Sequence, residues 1–141
     1  MGYRIQDTID FNLFIANIAL KAGLARAMRP FDITPEQFAI LSLLQGRDGL
    51  QQREIADLLI KDRPNITRIL ERLEKKKLIK RRTDTKDRRA IRVYLTSAGK
   101  KLLPDIEKVT LDFMTQAYRG LSEAELNQFK ETLHMISENL A

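Results

Sequence analysis

The sequence predicts a mainly α-helical protein of about six helices with one small β-hairpin, folded as a single domain over residues 1–141. Two observations predict this fold class. Apolar residues recur at helical spacing along most of the chain, and capping residues such as Thr34 and Ser122 mark where helices begin. The stretch IRVYLT, which starts at Ile91, instead alternates apolar and polar residues as a half-buried strand does. With 43% hydrophobic residues, a chain of this length can bury one core.

The first two helices are predicted from their apolar residues and from one capping motif. Residues from about 8 to 28 are apolar nearly all round, which is more apolar surface than one packing face needs. We therefore expect the first helix to contact two partners. In ITPEQFAILSLL, Thr34 is the predicted N-cap, Pro35 takes the first helical position and Gln37 completes a capping box. A second helix should run from there to about Gln45.

The third and fourth helices together predict a helix-turn-helix. QQREIADLLI gives a short third helix, and RPNITRILERLEKKK gives a fourth whose inward stripe contains Ile66, Leu70 and Leu73. In a helix-turn-helix the start of the second helix contacts base edges in the major groove, where Arg suits guanine and Asn suits adenine. The alternative is an ordinary exposed helix with Asp62 as its N-cap. The predicted DNA-reading side chains lie opposite the stripe: Arg63, Asn65, Thr67, Arg68 and Arg72.

A β-hairpin directly after the fourth helix predicts the wing of a winged helix-turn-helix. LIKRRT and IRVYLT are its strands, and the second should point Ile91, Val93 and Leu95 inward. The connecting loop, residues 84–90, carries three cations that can reach phosphates or enter the electronegative minor groove: Lys86, Arg88 and Arg89.

The charge of the chain is concentrated around the predicted helix and wing. The net charge is +6, but residues 61–92 hold 14 Lys and Arg against 5 Asp and Glu, whereas the remainder holds 11 against 14. A local basic block indicates a surface for a polyanion such as double-stranded DNA, because each neutralised phosphate releases counterions. The alternative is a solvated charged face that binds nothing.

The C-terminal part is predicted to form a dimer. A fifth helix should run from near Thr96 to about Tyr118, and Ser122 with Glu125 forms a capping box for a sixth. The sixth helix has an apolar seam at spacings of three and four residues, which needs a partner. The alternative is that the seam packs within one chain. The predicted homodimer contacts lie on the first and sixth helices: Ile9, Leu13, Leu126, Phe129, Leu133, Ile136 and Leu140.

These segments together resemble the MarR family of bacterial transcription regulators over essentially the whole chain. The specific part is Asp87-Arg88-Arg89 followed by an alternating strand and Leu95-Thr96-x-x-Gly99, which matches the D-x-R wing signature. The resemblance implies that Asp87 makes ion pairs that brace the wing, that Arg89 enters the minor groove, and that Lys86 and Arg88 bind phosphates. The alternative for Asp87 is a turn residue that hydrogen-bonds its own backbone. One departure from the family is that Gln51 and Gln52, rather than Ser or Thr, begin the third helix, which predicts a weaker cap.

The resemblance also implies two lobes and a function. A DNA-binding lobe would span about residues 30–100, and residues 1–29 and 101–141 would form a dimerisation lobe. The expected function is a sequence-specific regulator, a repressor, that binds a palindromic operator as a homodimer and is released by a small aromatic or phenolic effector. Three side chains could line an effector cleft or could be plain core: Phe11, Phe14 and Phe38. The alternative function is a winged-helix module whose basic face binds an acidic protein partner.

Enzymatic, metal and membrane functions are not expected. The chain has no cysteine, and its one histidine, His134, lies in an apolar helical segment without a sequence-near partner for catalysis or zinc binding. There is no phosphate-binding glycine loop, so we expect no cofactor. No apolar run approaches the about 18 residues of a membrane span, and no secretory signal is evident, which predicts a cytoplasmic protein.

Overall fold

The computed structural model describes residues 2–141 and contains six α-helices with a small antiparallel sheet. This confirms the predicted fold class. The helices are α1 (Ile9–Met28), α2 (Pro35–Gly46), α3 (Gln52–Leu59), α4 (Arg63–Lys75), α5 (Ser97–Ala117) and α6 (Glu123–Asn139). The strands are β1 (Leu50–Gln51), β2 (Ile79–Thr83) and β3 (Ile91–Leu95).

Four helices begin at the capping residues that the sequence indicates. Thr34, Asp62, Thr96 and Ser122 each accept a hydrogen bond from the backbone N–H three residues on, which satisfies a donor that the helix itself leaves unpaired. The backbone N–H groups of Thr34 and Ser122 in turn donate to the side chains of Gln37 and Glu125, which completes a capping box at each helix. The starts of α2, α4, α5 and α6 are therefore fixed by local sequence.

The sheet has three strands in the order β1-β3-β2, so β3 lies in the middle. Val93 pairs with Leu50 on one side and with Arg81 on the other. The sequence predicted the β2–β3 hairpin but missed β1, because a strand of two residues has no period to detect. One predicted orientation is wrong: Val93 and Leu95 are buried, but Ile91 is 37% exposed because it lies at the wing end of the strand, beyond the core.

The core fills the space between α2, α3, α4, α5 and the sheet. It is apolar, and its fully buried side chains include Ile40, Leu44, Ile55, Leu70 and Leu103. Gly99, in the first turn of α5, packs directly against the end of the hairpin. A Cβ at that position would lie 2.4 Å from the backbone oxygen of Leu78. The start of α5 can approach the end of the hairpin this closely only because the residue is glycine.

The helical lobe, formed by residues 2–29 and 101–141, is much less buried than residues 30–100. α1 packs along α5 but buries only Gly23 and Met28, and no residue of α6 is buried. Of the predicted dimer contacts, Leu13, Leu126 and Leu133 are half-buried. The others are exposed: Ile9, Phe129, Ile136 and Leu140. The apolar seam of α6 is therefore not buried against the rest of the single chain.

No helix within residues 2–141 combines the length and the apolar character needed to cross a membrane.

Candidate nucleic-acid interface

The recognition helix α4 is oriented by its apolar stripe. Ile66, Leu70 and Leu73 are buried against the core, so the opposite side of the helix faces outward. Asp62 caps the helix by accepting the N–H of Asn65 at 2.8 Å. Of the five predicted reading side chains, three are exposed on this outer side: Arg63, Arg68 and Arg72.

The other two predicted reading side chains are partly engaged within the protein. The Thr67 hydroxyl donates to the backbone oxygen of Arg63 at 3.0 Å and accepts from Nε2 of Gln52 at 3.1 Å. Thr67 therefore links α4 to α3, a role the sequence did not predict, and its hydroxyl is occupied. Asn65 is half-buried, and its Oδ1 accepts a long hydrogen bond of 3.4 Å from Nη2 of Arg68. At this distance the hydrogen bond holds the Asn65 amide only weakly.

The wing loop, residues 84–90, presents all four predicted wing side chains to solvent: Lys86, Asp87, Arg88 and Arg89. Two aspartates shape the loop from inside. Oδ1 of Asp84 accepts the N–H of Lys86 at 2.9 Å, and Oδ1 of Asp87 accepts the N–H of Arg89 at 3.0 Å. These are turns in which a carboxylate hydrogen-bonds backbone two residues on.

The ion pair that braces the wing is made by Asp84, which corrects the expected role of Asp87. Oδ2 of Asp84 accepts from Nε of Arg92 at 2.8 Å, and Nη1 of Arg92 donates to the backbone oxygen of Gly49 at 2.8 Å. The Asp84 side chain is only 10% exposed. The backbone N–H of Lys86 and the Arg92 guanidinium hold the pKa of the Asp84 carboxyl below its ordinary value. Within residues 2–141 no ion pair involves Asp87, whose carboxylate instead accepts the turn hydrogen bond from Arg89.

A second ion pair fixes the base of the wing to the recognition helix. Nη2 of Arg81 donates to Oε1 of Glu74 at 2.9 Å, and the backbone N–H of Arg81 donates to Oε2 at 3.2 Å. These hydrogen bonds from Arg81 lower the pKa of the Glu74 carboxyl. Nη1 of Arg81 also reaches Oε1 of Gln52 at 3.4 Å. β2, α3 and α4 are thereby joined, so the wing and the recognition helix keep a fixed relation.

The recognition helix and the wing line one groove of about 490 Å³. Arg63 contributes from α4, and Asp87 and Arg89 contribute from the wing loop. The groove also contains Arg53, which the sequence prediction missed although its place in the first turn of α3 is a signal for anion contact. Arg68 and Arg72 lie in a separate groove with Glu71, Glu74 and Lys75. The predicted site residues therefore form two neighbouring surfaces rather than one.

The start of α3 is capped incompletely, in agreement with the departure noted in the sequence. Oε1 of Glu54 accepts the N–H of Gln51 at 3.1 Å, and Glu54 also pairs with Arg47. In the described part of the chain, however, Oε1 of Gln51 is buried without a hydrogen-bond partner. Gln51 lines the same groove as Arg53 and Arg89.

The remaining predicted residues have separate environments. Phe38 packs against the core, whereas Phe14 is 60% exposed on α1 and Phe11 is half-buried. His134 is exposed on α6, with Nε2 at 3.7 Å from Glu138. Over residues 2–141, His, Asp and Glu side chains form no cluster suited to a metal ion.

Known structures share this fold. The S. aureus MepR-DNA complex contains a chain that is 30% identical, with a TM-score of 0.86, and the match covers 94% of this chain and 98% of that one. A probable transcriptional regulator from Pseudomonas aeruginosa is also 30% identical, with a TM-score of 0.87 and coverage of 94% and 99%. The uncharacterized HTH-type transcriptional regulator YkoM of Bacillus subtilis is 29% identical over 103 residues, which are 73% of this chain and 67% of that one.

The fold and the groove define a DNA-binding protein of the winged helix-turn-helix class. The sequence profile of the MarR family matches residues 33–91, which contain α2, α3, α4 and most of the wing. The chain belongs to the MarR family of transcriptional regulators. Because this family consists of regulators rather than enzymes, a role in transcription regulation follows at the level of the family.

Proposed function

We propose that this protein is a repressor that binds a palindromic operator as a homodimer and leaves it when a small aromatic or phenolic effector binds. The observation that carries the proposal is the groove in which Arg63 of α4 meets Arg89 of the wing. Arg can bind guanine edges in the major groove, and a cationic wing can enter the minor groove beside it. One protomer thus contacts two neighbouring grooves of the duplex. The MepR structure, which is of a DNA complex, supports this reading.

The roles of individual side chains follow from their exposure. Arg63, Arg68 and Asn65 contact bases, since they lie on the outer side of the first two turns of α4. Arg89 enters the minor groove. Four other exposed cations near this groove and on the wing bind phosphates: Arg53, Arg72, Lys86 and Arg88. Asp87 holds the loop in which Arg88 and Arg89 stand, through its bond to the N–H of Arg89.

The exposed seam of α6 supports the homodimer. An isolated amphipathic helix of 17 residues is marginally stable in water, because most helical stability in proteins comes from packing. The seam is exposed, with Phe129 at 53% and Leu140 at 83%. Ile9, Phe14, Ile15 and Ile18 of α1 are exposed as well. A second copy, with α1, α5 and α6 intertwined, covers both apolar surfaces at once.

A two-fold dimer accounts for a palindromic operator. Each protomer presents the same α4 and wing, which together form its reading head. The two half-sites of the operator must therefore be related by the same two-fold axis as the protomers. Reading heads that enter successive major grooves on one side of the duplex are separated by one helical turn, about 34 Å. Occupation of such a site excludes other proteins from the same grooves, which is how the dimer would repress transcription.

Selection of bound duplexes from a random pool tests the DNA-binding proposal. The expected product is a palindrome with half-sites centred about 10 base pairs apart. Sedimentation of the protein alone should give a dimer, and affinity for the recovered sequence should fall steeply as salt rises. Recovery of no sequence, together with weak binding to an acidic protein surface, would instead favour a protein-interaction module.

The effector proposal has its own test. A ligand shifts a two-state equilibrium only by its differential affinity for the two states, so it must bind the DNA-free spacing of the heads more tightly. We assign its site to the contact between α1 and α2, beside the half-buried Phe11. Adding 4-hydroxybenzoate to the operator complex should release DNA, and Phe11→Ala should weaken the release. Unchanged operator binding across a panel of phenolic acids would refute this part.

A further inference from the structure

The corner between α1 and α2 joins the helical lobe to the DNA-binding lobe. After α1 the chain makes one 3-10 turn at Arg29–Phe31, and Asp32 then adopts a left-handed backbone conformation with φ of 55°. Such a conformation is unfavourable for residues other than glycine, so surrounding contacts must hold it. The helix α2 starts immediately afterwards at Pro35, capped by Thr34.

Lys76, at the C-terminal end of α4, holds this corner from the side. Its Nζ donates to the backbone oxygen of Asp32 and to Oε1 of Gln37, the latter at 3.1 Å, and lies 3.6 Å from Oδ2 of Asp32. Gln37 is 4% exposed, and its Oε1 also accepts the N–H of Thr34 at 3.1 Å. The ammonium group thus makes two hydrogen bonds and one ion pair, and it ties the end of the recognition helix to the cap of α2.

From these contacts we infer that Lys76 is a positioning residue that sets the angle of α4 relative to the helical lobe. This inference rests on the proposed dimer, because the angle matters through the separation of two reading heads. α4 rises about 18 Å from its first to its last residue. Rotation by about 10° around its C-terminal end therefore moves its N-terminal end by about 3 Å. That displacement is close to the ~3.4 Å rise of one base pair, so it would shift the preferred half-site spacing.

The test measures affinity as a function of half-site spacing. Wild type and Lys76→Met are titrated against duplexes whose half-sites are moved together or apart by one and two base pairs. Wild type should bind one spacing at least about 10-fold more tightly than its neighbours, since each misplaced contact is worth a measurable fraction of the affinity. Lys76→Met keeps the aliphatic stem but loses the corner contacts, so its preference should move to a neighbouring spacing or fall below about 3-fold.

Lys77→Met is the matched control. Lys77 is the next residue, is exposed, and uses only backbone atoms in its hydrogen bonds to Glu74 and Thr96. The Lys77→Met substitution removes the same charge but leaves the corner contacts in place. The affinity of this variant should therefore depend on half-site spacing as that of wild type does. Lys76→Gln, which retains a shorter donor, gives an intermediate profile and replaces Lys76→Met if that variant does not fold.

Two results separate failure of this inference from failure of the proposed function. Equal loss of affinity at every spacing in Lys76→Met, or an unchanged profile, would show that Lys76 does not set the angle. If wild type itself binds none of the duplexes as a dimer, the proposed function fails first and the inference fails with it.

Discussion

Removal of the Arg89 side chain should weaken operator binding without weakening the fold. Arg89 is exposed at the wing tip, and its hydrogen bond to Asp87 uses its backbone N–H. Arg89→Ala should therefore leave the loop geometry intact. A lost base or groove contact costs about 1–3 kcal/mol. A homodimer carries the change twice at well-separated places, so the costs add to about 2–6 kcal/mol, or about 30-fold to more than 10,000-fold in Kd.

The assay is fluorescence anisotropy on the selected operator at several salt concentrations, with urea unfolding in parallel. The slope of log K against log salt should become shallower by about 2, one unit for each protomer. Lys108→Ala is the matched control, since Lys108 is an exposed cation on α5 in the helical lobe. The reasoning is refuted if Arg89→Ala binds like wild type, or if its urea midpoint falls as far as its affinity.

Three further predictions concern stability, pH and assembly. Gly99→Ala should lower the free energy of unfolding by up to about 2 kcal/mol in urea titration, because overpacking against the Leu78 oxygen costs about 1–3 kcal/mol and helix propensity returns about 1 kcal/mol. The lowered pKa of Asp84 means that its ionised form stabilises the folded state above its ordinary pKa and that this contribution is lost as pH falls through the lowered value. Wild type should therefore lose stability below about pH 4, and Asp84→Asn should be less stable than wild type at neutral pH but lose less on acidification. Phe129→Asp should place a carboxylate on the α6 seam and give a monomer in sedimentation, with operator affinity reduced more than 10-fold because one head is lost.

Each of these predictions has a clear contrary result. Gly46→Ala is the control for Gly99→Ala, because a Cβ at Gly46 meets nothing within 4 Å, and it should leave stability equal or higher. A Gly99→Ala protein as stable as Gly46→Ala would contradict the close approach to Leu78. Parallel pH profiles for wild type and Asp84→Asn would count against the ion pair with Arg92. A dimeric Phe129→Asp protein would remove α6 from the interface.

The parts of the fold that could be predicted from sequence are those fixed by neighbours along the chain. The caps at Thr34, Asp62 and Ser122 depend on residues three positions away, and the buried stripe of α4 depends on helical spacing. β1 could not be predicted, because Leu50 and Gln51 are a strand only through pairing with Val93 and Arg92, more than 40 residues later.

The sequence predicts which types of residue form the candidate site better than it predicts the contacts that these residues make. Which of Asp84 and Asp87 makes the ion pair that braces the wing depends on hairpin register, since Asp84 lies opposite Ala90, two residues before Arg92. Thr67 meets Gln52, and Lys76 meets Gln37, only because packing brings distant segments together. Period and composition carry no information on such pairs. From the sequence alone, Thr67 is predicted among the reading side chains and Lys76 has no predicted role.

The central position of β3 makes the wing stiff where it leaves the body of the protein. β3 is hydrogen-bonded along both edges, and Arg92 clamps it to the turn at Gly49. Amide exchange should accordingly be slow up to Ile91 and fast only in the seven residues of the tip. When the wing binds DNA, its base is already rigid and only its tip has to adapt. Little conformational entropy is therefore lost on binding.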